Sequence, residues 1–488
     1  MTSLLRSILS IFSGRFAMIL ISLVFTPILV RIISQAQYGL YASVLAGFTI
    51  VSLVSKGGLF DATRKTVAEY TDNPREVESI ISTSLLLSVI YGLLATGLLL
   101  LSIRLEIVPT RYTSYVQVLT GAILFINIFE IIKGALHGLQ RESAGEALNV
   151  ARRLVYTVGA LLLAYAGYDV LGVVTAYAAS FLLLSILGVL VLAKYSSYRF
   201  PEQGAIVTYG QDIASYGGYQ LIGGLSAVLL YKSDILLVEH FKGSTFTALY
   251  QSAITPAEMI WFVPFAIQIA FLQHTASLWS SNKIDEINQN IQTGVKYAVL
   301  SLTLFGVGLV VLAEPFLTVY FGPEYVDAAT TLQILVFGTF FFGITRVVTP
   351  VFQATGWVKY TELITFAVLI ANILLNTLLI PQYGIIGAGI GTGISYILMF
   401  VGNIILWKYS QFKLVSLDWA SKLVMTQLIF AAFFVGIVRL VSVSPWASLI
   451  LFPPLGLILF ISINLLAGNI PIQPAKPYLS RVSKYLRR

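Results

Sequence analysis

Ile11-Phe-Ser-Gly-Arg-Phe-Ala-Met-Ile-Leu-Ile-Ser-Leu-Val-Phe-Thr-Pro-Ile-Leu-Val-Arg-Ile-Ile33 carries only Arg15 and Arg31 as charges. A membrane-spanning helix takes roughly 20 mostly apolar residues, and this run supplies them. It is too long for the apolar region of a signal peptide and lacks a small-residue cleavage site, so it reads as a first span that stays in the chain. The rest of the sequence reads the same way. Hydrophobic residues make up 57% of 488 and charged residues 11%, with a mean hydropathy of +0.86, whereas soluble domains carry about 25% charged residues.

Apolar runs broken by charges and turn residues place spans near 10–33, 40–60, 80–103, 115–139, 148–167, 170–194, 215–238, 246–270, 292–313, 329–353, 359–380, 384–407, 421–442 and 446–467. The expected fold is all-α and integral to the membrane, with about fourteen transmembrane helices. Lys56 and the Arg152–Arg153 pair interrupt the second and fifth spans, and both are kept because the charge pattern requires their parity. Of the thirty Lys and Arg residues, the odd-numbered loops hold only Arg31, Arg104, Arg111, Lys242 and Arg439. Eight more fall inside spans: Arg15, Lys56, Lys133, Arg152, Arg153, Lys232, Lys296 and Arg346. The remainder lie in the N-terminal segment, the even loops and the tail, which predicts both termini in the cytoplasm by the positive-inside rule. The net charge of +8 is thus explained by topology and gives no reason to invoke nucleic acid.

A weak internal repeat runs at an offset of about 209 to 216 residues. Tyr41-Ala-Ser lines up with Tyr250-Gln-Ser, Arg141 and Glu146 with Lys359 and Glu362, and, after a one-residue gap, Leu171-Gly172 with Ile386-Gly387. Six spans separate the copies. The halves then share one orientation, the parallel-repeat arrangement of alternating-access transporters, in which two bundles face a central cleft. The expected divisions are 1–205 for an N-terminal six-helix bundle, 206–415 for a C-terminal one, and 416–488 for two extra spans and a basic cytoplasmic tail.

Several chemistries are missing. Cysteine is absent, which removes disulfides and thiolate sites. No Gly-Lys dipeptide occurs, so there is no P-loop lysine and no direct ATP drive. His137, His240 and His274 are scattered and match no zinc or triad spacing. The acidic group Glu314, Glu324 and Asp327 around Tyr320-Phe-Gly reads as an ordinary solvated loop.

An ionisable residue at mid-bilayer costs on the order of 2.5–3.5 kcal/mol on insertion scales, so it faces a bundle interior or a watery cavity. Arg15 shares a helical face with Ser22 and Thr26, a polar stripe suited to a cleft. Arg15, Lys56, Arg152, Lys232 and Arg346 are the substrate-binding candidates, because guanidinium and ammonium groups pair with phosphate oxygens. Lys133, Lys296 and Arg31 instead read as snorkelling to the interface. Adjacent on one helix, Arg152 and Arg153 cannot point the same way. Glu258, the deepest carboxylate found, is the candidate for proton coupling or for pairing with a cleft arginine. Asp234, with Asn372 and Asn376 four apart, offers oxygen ligands for Na⁺; amides so spaced also serve as interhelical glue. Pro27, Pro256 and Pro264 mark possible bends.

Together with the span count and the repeat, Tyr38-Gly-Leu-Tyr, Lys232-Ser-Asp234 and Gln353-Ala-Thr-Gly give the chain its family likeness. It resembles the polysaccharide-transporter (Wzx-like) branch of the multidrug/oligosaccharidyl-lipid/polysaccharide superfamily, relatives of the lipid II flippase. The resemblance implies a V-shaped pair of six-helix bundles that flips a polyprenyl-linked glycan outward through a cationic cleft, matched in kind by Arg15, Lys56, Lys232 and Arg346. It further implies a Na⁺ site matched by Asp234, Asn372 and Asn376, although an acid is expected on span eleven where this chain has amides. Spans thirteen and fourteen, with Arg439 and Trp446 near one end, would form a groove for the lipid tail. Na⁺ or H⁺ would couple transport, and glycosyltransferases or a polymerase of the same pathway would be partners. Two rivals stay open: a drug or metabolite exporter of the multidrug branch, and a membrane glycan polymerase or ligase.

Overall fold

This computed structural model describes residues 3–197, 203–413 and 415–470, and every secondary-structure element among them is helical. Arg199 and the basic tail with Lys476, Arg481, Lys484, Arg487 and Arg488 lie outside the described residues. The helices are α1 (Ser3–Ile32), α2 (Gln35–Lys56), α3 (Leu59–Glu69), α4 (Pro74–Arg104), α5 (Thr110–Gly138), α6 (Glu142–Leu163), α7 (Asp169–Leu192), α8 (Gln203–Lys242), α9 (Ser244–Met259), α10 (Phe262–Ser280), α11 (Ile284–Val311), α12 (Ala313–Tyr320), α13 (Ala329–Ala354), α14 (Val358–Tyr409), α15 (Leu417–Leu440) and α16 (Pro445–Leu466).

Among the described residues eleven segments are long and apolar enough to cross a membrane, and the α9–α10 pair makes a twelfth. Two of the eleven run for 51 and 52 residues. A straight helix of that length would measure about 75 Å, more than twice a hydrocarbon core. Neither is straight. The first is interrupted at Gly167 (φ 88°) and the second at Gly384 (φ 59°), left-handed positions that glycine adopts without steric cost. Each therefore makes two passes, which restores the fourteen spans. The two breaks are built alike. A Cβ on Gly172 would lie 2.8 Å from the Leu163 side chain, and one on Gly387 would lie 2.3 Å from the Leu379 carbonyl oxygen. In both copies of the repeat, the glycine that follows the break packs against the helix end before it.

The chain packs as two compact units, one spanning Ser7–Gln251 and the other starting at Ser252. Packing thus groups α8 with the helices before it, whereas the repeat sets its halves at 205/206; the first boundary reports contacts and the second reports sequence register. In the first unit α5 is central, packed by α2, α3, α4, α6 and α7. Its Ile123, Ile126, Ile132, Ala135 and Leu136 are all at most 1% exposed. Asn127 on the same helix donates to the carbonyl oxygens of Ser55 (3.0 Å) and Ser88 (3.4 Å), joining α2 and α4 through polar bonds inside apolar surroundings. The second unit is built on α13, which packs on α10, α11 and α14. Gly338 and Gly393 let α13 and α14 touch backbone to backbone, a Cβ on the former falling 2.5 Å from the Cα of the latter. The two appended helices α15 and α16 pack on α11, with α16 also on α12. Between them the buried Gln427 donates to Asn464 Oδ1 at 2.9 Å.

Three expectations are corrected. The second span does not run to residue 60: α2 stops at Lys56, and Gly57 and Gly58, both at positive φ, turn the chain into α3. The eighth span is not one helix from 246 to 270, because α9 and α10 meet at a 52° bend. Pro264, in the first turn of α10, has no N–H for the Ile260 carbonyl and its ring crowds that oxygen, so the helix breaks there. The acidic segment around Tyr320 keeps Glu314, Glu324 and Asp327 exposed to solvent as expected, but it is not a loop. Leu317, Phe321 and Tyr325 are fully buried while α12 and a 3₁₀ turn (Pro323–Ala328) carry the chain across them.

Candidate functional site

Lys56 and Arg152, two of the predicted substrate ligands, come together in the first unit around a residue the sequence reading passed over. Lys56 ends α2 and is held there by the Gly57–Gly58 turn, which lies so close to α8 that a Cβ on Gly58 would sit 2.1 Å from the Gly217 carbonyl oxygen. On α5, Lys133 Nζ pairs with Glu130 Oε2 at 2.9 Å, with side chains only 15% and 18% exposed. Lys133 is therefore internal and does not snorkel. The charges of Lys133, Lys56 and Arg152 all act on the Glu130 carboxylate. Arg152 lies over the ring of Phe181 at 4.3 Å. Its Nε and Nη1 are buried without a hydrogen-bond partner among the described residues. The result is a nest of three cations and one carboxylate walled by Phe60, Phe129 and Phe181.

Arg153 points elsewhere, as adjacency on a helix requires. Its Nη2 donates to Ser22 Oγ of α1 at 2.7 Å, and its guanidinium lies 5.2 Å from the Tyr156 ring centre. Part of the polar stripe on α1 is thus engaged by α6, while Arg15 itself is exposed. Tyr156 in turn shares a 2.6 Å hydrogen bond with Tyr41.

The second unit carries Arg346 on α13. Its Nη1 donates to Gln268 Oε1 at 3.0 Å, and the guanidinium is surrounded by Trp261 (4.6 Å), Phe342 (5.2 Å) and Phe265 (5.8 Å). Cation–π contacts of this kind contribute about 0.5–2 kcal/mol, more where water is excluded. Glu258 borders the same aromatic group. The Tyr396 hydroxyl donates to its Oε1 at 3.4 Å, and the Tyr396 ring stacks on Phe342 at 4.6 Å. Trp261 is fixed by donating Nε1 to the Thr339 carbonyl at 2.8 Å. The bend between α9 and α10 thus lies beside Glu258 and Trp261, and brings carboxylate, arginine and rings around one point.

The other predicted ligands are dispersed. Lys232 is half-buried on α8 and forms no ion pair among the described residues. Asp234, 1% exposed, accepts from the Tyr250 hydroxyl at 2.5 Å through Oδ2 and from the Ile235 N–H at 2.8 Å through Oδ1. Asn372 and Asn376 on α14 are completely buried, and both amide atoms of Asn376 lack a hydrogen-bond partner among the described residues. Two carboxylates were missed in the sequence. Besides Glu130, Glu239 is 4% exposed and accepts from Tyr112 (3.0 Å), Ser244 and Thr247 (both 2.8 Å), with Arg111 at 3.5 Å. The signal for Glu130 was present: an acid three residues before a lysine inside Ile126-Asn-Ile-Phe-Glu-Ile-Ile-Lys133.

Residues 4–271 match the family described as polysaccharide biosynthesis protein, and residues 219–462 match the lipid II flippase MurJ family. A probable low-salt glycan biosynthesis flippase of Haloferax volcanii is 24% identical over 460 residues, covering 89% of this chain and 90% of that one. Lipid II flippase MurJ in an inward closed conformation superposes with a TM-score of 0.72 at 14% identity, covering 97% and 99% of the two chains. An outward-facing multidrug resistance MATE family transporter of the MOP superfamily superposes at 0.61 and 16% identity, covering 90% and 97%. At such identities these two structures speak to the fold alone, which flippases and multidrug exporters share.

Proposed function

Because the chain belongs to the polysaccharide biosynthesis protein family, we propose that it is a multi-pass flippase of the plasma membrane. It carries a lipid-linked oligosaccharide from the cytoplasmic to the outer leaflet for surface-glycan or glycoprotein assembly. The observation that carries this reading is the nest of Lys56, Lys133 and Arg152 around Glu130, walled by aromatic rings. Cations that outnumber carboxylates inside a membrane protein attract an anion, and a phosphate or pyrophosphate headgroup is one. The half-buried Arg346 favours the same ligand. An exporter of cationic drugs needs the opposite sign. A glycan polymerase or ligase would be an enzyme; likeness to a named flippase supports a transporter without catalytic chemistry.

In this mechanism the phosphates exchange water for lysine and arginine donors, the polyprenyl tail stays in lipid, and the site opens to one side and then the other. Substrate drives the change only by its differential affinity for the two states. We assign H⁺ coupling to Glu258 and Na⁺ coupling to Asp234, Asn372 and Asn376 as alternatives. Asn376 Oδ1, buried without a donor among the described residues, fits an oxygen-ligated cation, whereas its Nδ2, equally unpartnered, can only donate; both oxygens of Asp234 already accept bonds, so the donor set fits in part. Glycosyltransferases or a polymerase of the same pathway supply and consume the lipid-linked glycan.

The test is reconstitution into liposomes with a fluorescent lipid-linked oligosaccharide. Wild-type protein should move the lipid between leaflets, and the combined Arg15→Ala and Arg346→Ala variant should be slowed by at least about tenfold, the effect of 1.4 kcal/mol. No movement by wild type, or an undiminished double variant, overturns the reading.

A further inference from the structure

Resting on the flippase reading and deepening it, we propose that Glu130 is a placeholder anion: it occupies the cationic nest of the first unit when no substrate is bound and yields its cations to the arriving phosphate.

Three features carry this. The nest holds Lys56 from α2, Lys133 from α5 and Arg152 from α6, but Glu130 is the carboxylate on which all three act. Cations thus outnumber carboxylates around Glu130 inside an aromatic wall. Arg152 also keeps Nε and Nη1 buried without acceptors, although an unsatisfied buried donor is costly and a charged one more so. A purely structural ion pair would match its charges and satisfy its donors. This one is short of negative charge and of acceptor oxygens, and a phosphate ester brings both. Glu130, Lys133, Lys56 and Arg152 are each partly exposed. Glu130 and Lys133 sit three apart on one helix, so the carboxylate can leave the lysine by rotating its own side chain.

The placeholder role has a signature that a structural role lacks: removing the carboxylate strengthens anion binding. Full-length protein in nanodiscs is titrated calorimetrically with inorganic pyrophosphate and, separately, with geranylgeranyl pyrophosphate. Glu130→Gln should bind about tenfold tighter than wild type, the effect of removing one close competing charge, while Glu130→Asp should stay within about twofold. Empty Glu130→Gln should melt below wild type and recover when pyrophosphate is added. A gain with both ligands says that the headgroup alone is taken; a gain with the prenyl compound only says that the lipid is required; either supports the proposal. Equal or weaker binding of both ligands by Glu130→Gln overturns it. If that variant cannot be purified, the Glu130→Gln, Lys133→Gln pair removes one charge of each sign. It should bind at least as tightly as wild type, and weaker binding again overturns the role. Should wild type flip the lipid-linked oligosaccharide while Glu130→Gln gains nothing, the placeholder fails and the flippase reading stands. Should Glu130→Gln gain while wild type flips nothing, the anion site stands and the flippase reading fails.

Discussion

Gly58 meets Gly217 backbone to backbone: a Cβ on Gly58 would lie 2.1 Å from the Gly217 carbonyl oxygen, and one on Gly217 would lie 2.5 Å from the carbonyl oxygen of Gly57. This contact fixes the turn that ends α2 at Lys56. Gly58→Ala adds overpacking to a left-handed backbone (φ 69°), and should cost about 2–4 kcal/mol. Gly217→Ala, which meets only the overpacking, should cost about 1–3 kcal/mol. Thermal unfolding of the purified protein should rank the two in that order.

Gln427 and Asn464 test whether the appended helices are joined by their buried amides. Asn464→Leu strands the Gln427 amide and should cost about 1–3 kcal/mol. The Gln427→Leu, Asn464→Leu pair, which removes both partners, should be more stable than either single variant. A double-variant cycle with no coupling in the melting data would show that the 2.9 Å bond contributes nothing.

Arg346→Lys keeps the charge but cannot both spread over Trp261 and hold Gln268 with a planar fork. It should flip the fluorescent lipid at least about tenfold more slowly, a transport loss of roughly 1.4 kcal/mol. Trp261→Phe keeps a ring under the arginine and loses the bond to the Thr339 carbonyl. Its stability should fall by about 1–2 kcal/mol, with a smaller effect on transport than Arg346→Lys.

The Tyr250 hydroxyl donates to the fully buried Asp234, and hydrogen bonds to charged groups contribute about 1.5–3 kcal/mol. Tyr250→Phe should lower stability by that order. Under the Na⁺ alternative, Asp234→Asn should abolish any response of the flipping rate to an imposed Na⁺ gradient, whereas Glu258→Gln should not. Under the H⁺ alternative the wild-type rate should ignore the Na⁺ gradient and follow an imposed pH gradient, a response that Glu258→Gln should abolish.

Span number and the two interrupted segments were legible because a bilayer demands about 20 apolar residues per pass, and Gly167 and Gly384 punctuate runs too long for one pass. The repeat was legible at Gly172 and Gly387, where both copies need a residue without a side chain. Apolar content does not report how a helix ends, so α2 stopping at Lys56 was missed, whereas the 52° break before Pro264 lies at a proline the sequence had marked as a bend. Arg346 stood out as a lone charge and Arg152 as one of an adjacent pair, and both prove to be set among aromatic rings. Glu130 did not stand out, since its lysine three residues on made the pair look neutral. Only the tertiary fold adds Lys56 and Arg152 to it.

The breaks at Gly167 and Gly384 leave almost no polypeptide between consecutive passes. Each flanking pair must enter the bilayer as a preformed hairpin during synthesis, because neither member offers a hydrophilic segment at which the other could be held back. Those two tips also give an external protease or an inserted epitope nothing to grip, so mapping of sidedness by cleavage or tagging has to be done at other connections.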